Sequence, residues 1–166
     1  RILRELTAAL RAHAASIRDS IATMATLELT FAKAHLGGVI PTFGDALLLV
    51  EARHPILADV LRRERRRPVP VSFGLDPINR TLLITGPNTG GKTVTMKTAG
   101  LLALMAQSAM PVPAREAEFP IFQQILADIG DNQSIAESLS SFSSHIRHVS
   151  EMLEQATPDS LVLLDE

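Results

Sequence analysis

The segment Gly86-Pro87-Asn88-Thr89-Gly90-Gly91-Lys92-Thr93 constrains this chain more than any other, because it meets the phosphate-binding loop pattern G-x-x-x-x-G-K-[ST] at every fixed position. Ahead of it runs the apolar stretch Thr81-Leu82-Leu83-Ile84-Thr85, and behind it Val94 to Gln107 carries a helical pattern. Strand, loop and helix in that order are the context the motif needs. The glycines let backbone N–H groups turn toward an anion, and the following helix aims the positive end of its dipole at the same point. In such a loop Lys92 reaches the outer phosphates and the Thr93 hydroxyl takes one coordination site on Mg2+. The competing reading is a Gly-rich turn that merely resembles the loop, and the two correct flanks weigh against it.

A chain of 166 residues, 46% of them hydrophobic, is long enough for one domain with a sizeable core and an appendage. Its net charge of −2 supplies no basic footprint for nucleic acid over the chain as a whole. It has no cysteine, which excludes disulfides and thiolate metal sites and fits a cytoplasmic protein. Leu101 to Ala106 is too short an apolar run to cross a bilayer, and the N-terminus lacks a signal-peptide pattern, so the expectation is a soluble intracellular protein with no membrane partner. The start at Arg1 and the stop at Asp165-Glu166 suggest a fragment.

From Leu3 to Ala34, seam positions alternate three and four apart through Leu6, Leu10, His13, Ile17, Ser20, Met24, Leu27 and Phe31, with His13 and Ser20 as weak points. A continuous helix of that length would measure about 50 Å at ~1.5 Å per residue, which suggests an arm or lever; an amphipathic helix packed on the domain is the alternative. Gly37-Gly38 and Pro41 end it. Ala46 to Glu51 and Val69 to Leu75 read as strands, with a turn at Asp76-Pro77-Ile78-Asn79. Five arginines between Arg62 and Arg67, followed by prolines and without interleaved aromatics, read as a solvated loop more readily than as a phosphate-contacting patch. Beyond the loop and its helix, Ile121 to Ile129 reads as a strand and Phe142 to Gln155 as a helix. Leu161 to Leu164 reads as a strand covered on both faces of a parallel sheet. His145 and His148 lie three apart without a third ligand at usable spacing, so packing or surface roles are favoured over a metal pair.

An apolar strand ending in Asp165-Glu166 is the natural complement of a phosphate loop. Asp165 would hold Mg2+ directly or through water, and Glu166 would act as general base toward the attacking water. Alone, an acidic pair after four aliphatics reads equally well as a surface feature. The intact loop upstream is what favours the catalytic reading.

Three stretches together carry a resemblance: Thr85 to Val94; Asp128-Ile129-Gly130-Asp131 through Ser140-Ser141-Phe142-Ser143-Ser144-His145; and Leu161 to Glu166. They resemble the ATPase domain of the MutS family, and Arg53-His54-Pro55 is similar to a family signature upstream of the loop. Thr89, Thr93-Val94 and the serine-rich middle motif look most like the second paralogue class, the one linked to recombination and branched DNA or to stalled ribosomes. The resemblance covers roughly Ala46 to Glu166. It implies an α/β fold in which a P-loop, ABC-type ATPase head on a mostly parallel sheet is preceded by a long helical lever. Residues 1–37 would form the lever and 44–166 the ATPase domain, ending just after the acidic pair. It also implies ATP and Mg2+ as ligands, a homodimer formed through the heads, and DNA or ribosome binding through regions absent here. Gly86, Pro87, Asn88, Thr89, Gly90, Gly91, Lys92, Thr93 and Val94 would hold the nucleotide, with Lys92 and Glu166 catalytic and Thr93 and Asp165 on the metal. Ser140 looks like the serine offered to the γ-phosphate bound by the partner, although a helix cap would suit it too. Ser138-Leu139 stand where mismatch-repair members usually have Gly-Arg. A small-molecule kinase and a nucleotide-gated interaction module without turnover are the rival functions.

Overall fold

The computed structural model describes residues 2–130 and 138–165. The chain falls into two compact units, Arg1–Gly37 and Gly38–Glu166.

The first unit is α1 (Ile2–Ala12) and α2 (Ala14–Leu36). The sequence predicts one helix here, but it is interrupted at His13, one of the two weak seam positions. His13 has φ −105° and ψ 4°, and its N–H bonds to the Leu10 carbonyl at 3.0 Å, a three-residue closure instead of a four-residue one. Three α2 threonines satisfy their hydroxyls on the carbonyl one turn back: Thr23 on Asp19, Thr26 on Ala22 and Thr30 on Thr26. Gly37, at φ 67°, ends the helix where an L side chain would be strained. No α2 residue is buried.

The second unit contains β1 (Thr42–Phe43), β2 (Leu47–Ala52), α3 (Pro55–Arg63), β3 (Val71–Leu75), a 3-10 turn (Asn88–Gly90), α4 (Lys92–Gln107), β4 (Glu116–Phe119), β5 (Gln124–Asp128), α5 (Ser138–Gln155) and β6 (Ser160–Leu164). The mostly parallel sheet expected of a P-loop head does not form. One sheet of four strands runs β1-β4-β2-β3, with β4–β2 and β2–β3 antiparallel and only β1–β4 parallel. A separate pair, β5–β6, is parallel, with Asp128 opposite Leu164. The architecture is therefore a mixed sheet with helices.

The physical reason lies in side-chain alternation. β3 and β4 alternate between covered and open positions, which suits antiparallel strands wetted on one face. Even β6, expected to be covered on both sides, buries Leu161 and Leu163 while leaving Val162 and Leu164 exposed. Thr81–Thr85, expected as a strand, joins neither sheet, and Leu83 is 83% exposed. The Arg run splits: Arg62 and Arg63 close α3, where cations complement the helix C-terminus, and Arg65 adopts φ 59° just beyond.

The core is centred on α4. Leu102, Ala103 and Ala106 are essentially fully buried, together with Leu49 of β2 and Phe119 of β4. At Gly100 the helix comes so close to β6 that a Cβ there would lie 2.7 Å from Leu163 Cδ1.

Candidate functional site

The loop is built by backbone geometry that its residue types permit. Pro87 is extended (φ −66°, ψ 154°), Asn88–Gly90 make one tight turn, and Gly90 N–H donates to the Pro87 carbonyl at 2.8 Å. Gly86 at φ 148° and Gly91 at φ 81° lie in regions that L side chains rarely adopt, and a Cβ on either would meet nothing within 4 Å. Open space beside left-handed backbone, at the start of a 16-residue helix, fits an anion held by main-chain N–H groups.

Lys92 and Thr93 open α4, both half-buried, and Val94 follows at 37% exposure. Thr89 is exposed, and the side chain of Asn88 lies outside the described residues. Gly100 stands seven residues after Thr93 and so shares its face of α4. The contact of Gly100 on Leu163 therefore sets Thr93 against the end of β6. There Thr93 Oγ1 donates to Asp165 Oδ2 at 2.6 Å, across 72 positions of chain. A hydroxyl and a carboxylate side by side are hard oxygen donors, the set that suits Mg2+. The glycine-rich loop, this pair of oxygens and the N-terminus of α4 thus lie at one place. Glu166 lies outside the described residues. Ser140 sits in α5, and its side chain is likewise outside them.

Two further features involve residues that the sequence brought forward. A bulge in β2, with Leu49 opposite Phe73 and Ala52 opposite Val71, puts Glu51 at φ 51°, and Ser72 Oγ accepts its N–H at 2.9 Å. It delivers Arg53 and His54 to the start of α3, where His54 Nδ1 accepts from Leu57 N–H at 3.4 Å and caps the helix ahead of Pro55. Burial first, and then the Lys97 ammonium on α4, hold the His54 imidazole below its ordinary value.

The second feature is a pair that reading the sequence missed. Asp128 ends β5, its carbonyl accepts the Asp165 N–H at 3.0 Å, and its Oδ2 lies 2.7 Å from His145 Nδ1 on α5. The contact is an ion-pair approach and not an aligned hydrogen bond, since Asp128 Oδ2 is buried and has no well-oriented donor among the described residues. The available signal was an apolar strand ending in Asp, the same pattern that singled out Asp165. Among the described residues no group of three or more His, Cys, Asp or Glu could hold a metal, and no helix is long and apolar enough to cross a membrane.

Two glycines at positive φ, a helix N-terminus and a strand-end carboxylate bonded to the first-turn threonine are what this part of a mixed-sheet α/β domain brings together. Residues 82–166 match the model of MutS domain V. The chain is 42% identical to the protein named Endonuclease MutS2 from Acetivibrio thermocellus. It is 45% identical to that of Pelotomaculum thermopropionicum and 44% to that of Streptococcus gordonii, each over 173 residues spanning 100% of this chain and 21% of the relative. The chain belongs to the MutS family and, within it, to the MutS2 paralogue class. It spans about a fifth of the length of the curated relatives it matches.

Proposed function

We propose that the second unit binds Mg-ATP and hydrolyses it, with residues 44–166 as the ATPase domain and residues 1–37 as a lever. The observation that carries this reading is the 2.6 Å bond from Thr93 to Asp165, which joins the loop to a carboxylate 72 positions away. Gly86, Asn88, Thr89 and Gly91 present main-chain N–H groups to the phosphates, Pro87 having none and the Gly90 N–H being bonded to the Pro87 carbonyl, and Lys92 neutralises the outer ones. Thr93 and Asp165 would hold Mg2+, which when bound would screen the charge of the phosphate oxygens. Glu166 accepts a proton from the attacking water, in line with the departing diphosphate.

Membership of the MutS family supports a dimer in which Ser140 reaches the γ-phosphate held by the partner and Asn88 lies beside the nucleotide's own. Opening and closing of that dimer would move the lever and, through it, regions that grip branched or mismatched DNA or a stalled ribosome. Lys92→Ala is the test: ATP affinity should fall by roughly tenfold to 150-fold, the scale of a lost charge-assisted phosphate contact. Unchanged affinity would refute nucleotide binding at this loop. Glu166→Gln should bind ATP and fail to turn it over. Phosphate transfer to a metabolite in place of water would favour a kinase.

A further inference from the structure

We propose that the Asp128–His145 pair is a positioning contact that ties α5, the helix bearing Ser140, to the strand end that carries Asp165, so that the state of the phosphate loop is felt at the dimer-forming helix. This inference rests on the function proposed above. Three contacts form one route: Thr93 Oγ1 to Asp165 Oδ2 at 2.6 Å, Asp165 N–H to the Asp128 carbonyl at 3.0 Å, and Asp128 Oδ2 to His145 Nδ1 at 2.7 Å. Side chains alternate across a strand, and paired residues of parallel neighbours share a face. Asp165 therefore faces α4, while Asp128, in register with Leu164, faces the opposite side, where α5 packs. The parallel pair β5–β6 stands between the two helices with one carboxylate turned to each.

Asp128 Oδ2 is buried and has no aligned donor among the described residues, so a small rotation or shift of α5 would complete a bond that is now only approached. Ser140 lies five residues before His145, about 7.5 Å along the axis at ~1.5 Å per residue, so movement at His145 is carried to it through continuous helix. His148, one turn further on and exposed, makes no such contact among the described residues.

The experiment compares the wild-type chain with His145→Ala, His145→Gln and Asp128→Asn. Affinity for a fluorescent ATP analogue with Mg2+ is measured, and self-association with and without that nucleotide is followed by sedimentation velocity; circular dichroism checks that each variant is folded. His145→Ala is expected to leave nucleotide affinity within about threefold, because the α4 face is untouched, and to weaken nucleotide-dependent self-association roughly tenfold, within the usual span of coupling between sites. His145→Gln keeps a donor and should recover much of the loss; Asp128→Asn should lose the effect of the charge while staying folded. If wild type binds the nucleotide but His145→Ala self-associates equally well, or if wild type never self-associates, the positioning role is overturned and the nucleotide reading stands. A wild-type chain that does not bind the nucleotide overturns both.

Discussion

The docking of α4 on β6 can be tested by a double-mutant cycle at Gly100 and Leu163. In the wild-type background, Gly100→Ala gains about 1 kcal/mol of helix propensity. It also drives a methyl to 2.7 Å from Leu163 Cδ1, and overpacking of this kind costs roughly 1–3 kcal/mol. The obstacle is the far end of a flexible side chain, which can yield part of the distance, and subtracting the propensity gain from that cost leaves a net effect of about 0–2 kcal/mol destabilising. Leu163→Ala empties a site only 9% exposed and should cost about 2–5 kcal/mol. With Cδ1 removed, Gly100→Ala keeps its propensity gain and adds a buried methyl worth ~0.8 kcal/mol, so it becomes stabilising by about 1–2 kcal/mol. The sign of one substitution thus reverses with the other, a coupling of roughly 1–4 kcal/mol. The chain has no Trp and no Tyr, so urea unfolding is best followed by far-ultraviolet circular dichroism. Additivity within about 0.5 kcal/mol would mean that the two residues do not touch, and with them the placement of Thr93 against Asp165 would fall.

Other outcomes follow from the same geometry. Gly91→Ala meets no clash but must hold φ 81°, so it should cost about 1–2 kcal/mol of stability in the same unfolding assay, and a gain would contradict the left-handed loop. Burial, and after it Lys97, depress the His54 imidazole, so the unfolded chain takes up the proton first. Stability is complete above the ordinary value of 6.5 and is lost as acidification passes below it toward the folded-state value. His54→Asn keeps a cap acceptor without that titration, and unfolding midpoints measured across this window should show a shallower pH dependence. Phe119→Ala, at a fully buried position of β4, should cost about 3–5 kcal/mol in urea unfolding, and a loss under 1 kcal/mol would remove that strand from the core.

The parts of this chain readable from sequence were those governed by local rules. The loop pattern specifies its own backbone, and Leu47–Ala52, Gln124–Asp128 and Ser160–Leu164 carry the apolar content of strands. The pairing of those strands is non-local. Glu116-Ala117-Glu118-Phe119 alternates acidic and apolar residues over only four positions, too short a pattern to announce a strand inserted between Thr42–Phe43 and Leu47–Ala52, yet that insertion makes the sheet mixed. Thr81–Thr85 has the composition of a strand and no partner to ladder with. The start of α3 is hidden by Pro55, a residue common in turns, although proline is well suited to the first turn of a helix once His54 caps it. At the site, Thr93 and Asp165 were marked by residue type and spacing. Asp128 and His145 meet through tertiary packing that no spacing rule encodes.

The central claim is that loop and strand-end carboxylate bind one Mg-nucleotide together, and calorimetric titration of ATP into the chain with and without Mg2+ tests it most directly when wild type is set beside Asp165→Ala. Wild type should bind ATP more tightly when Mg2+ is present, and Asp165→Ala should bind it with little response to the metal. Equal Mg2+ dependence in the two proteins would contradict the claim.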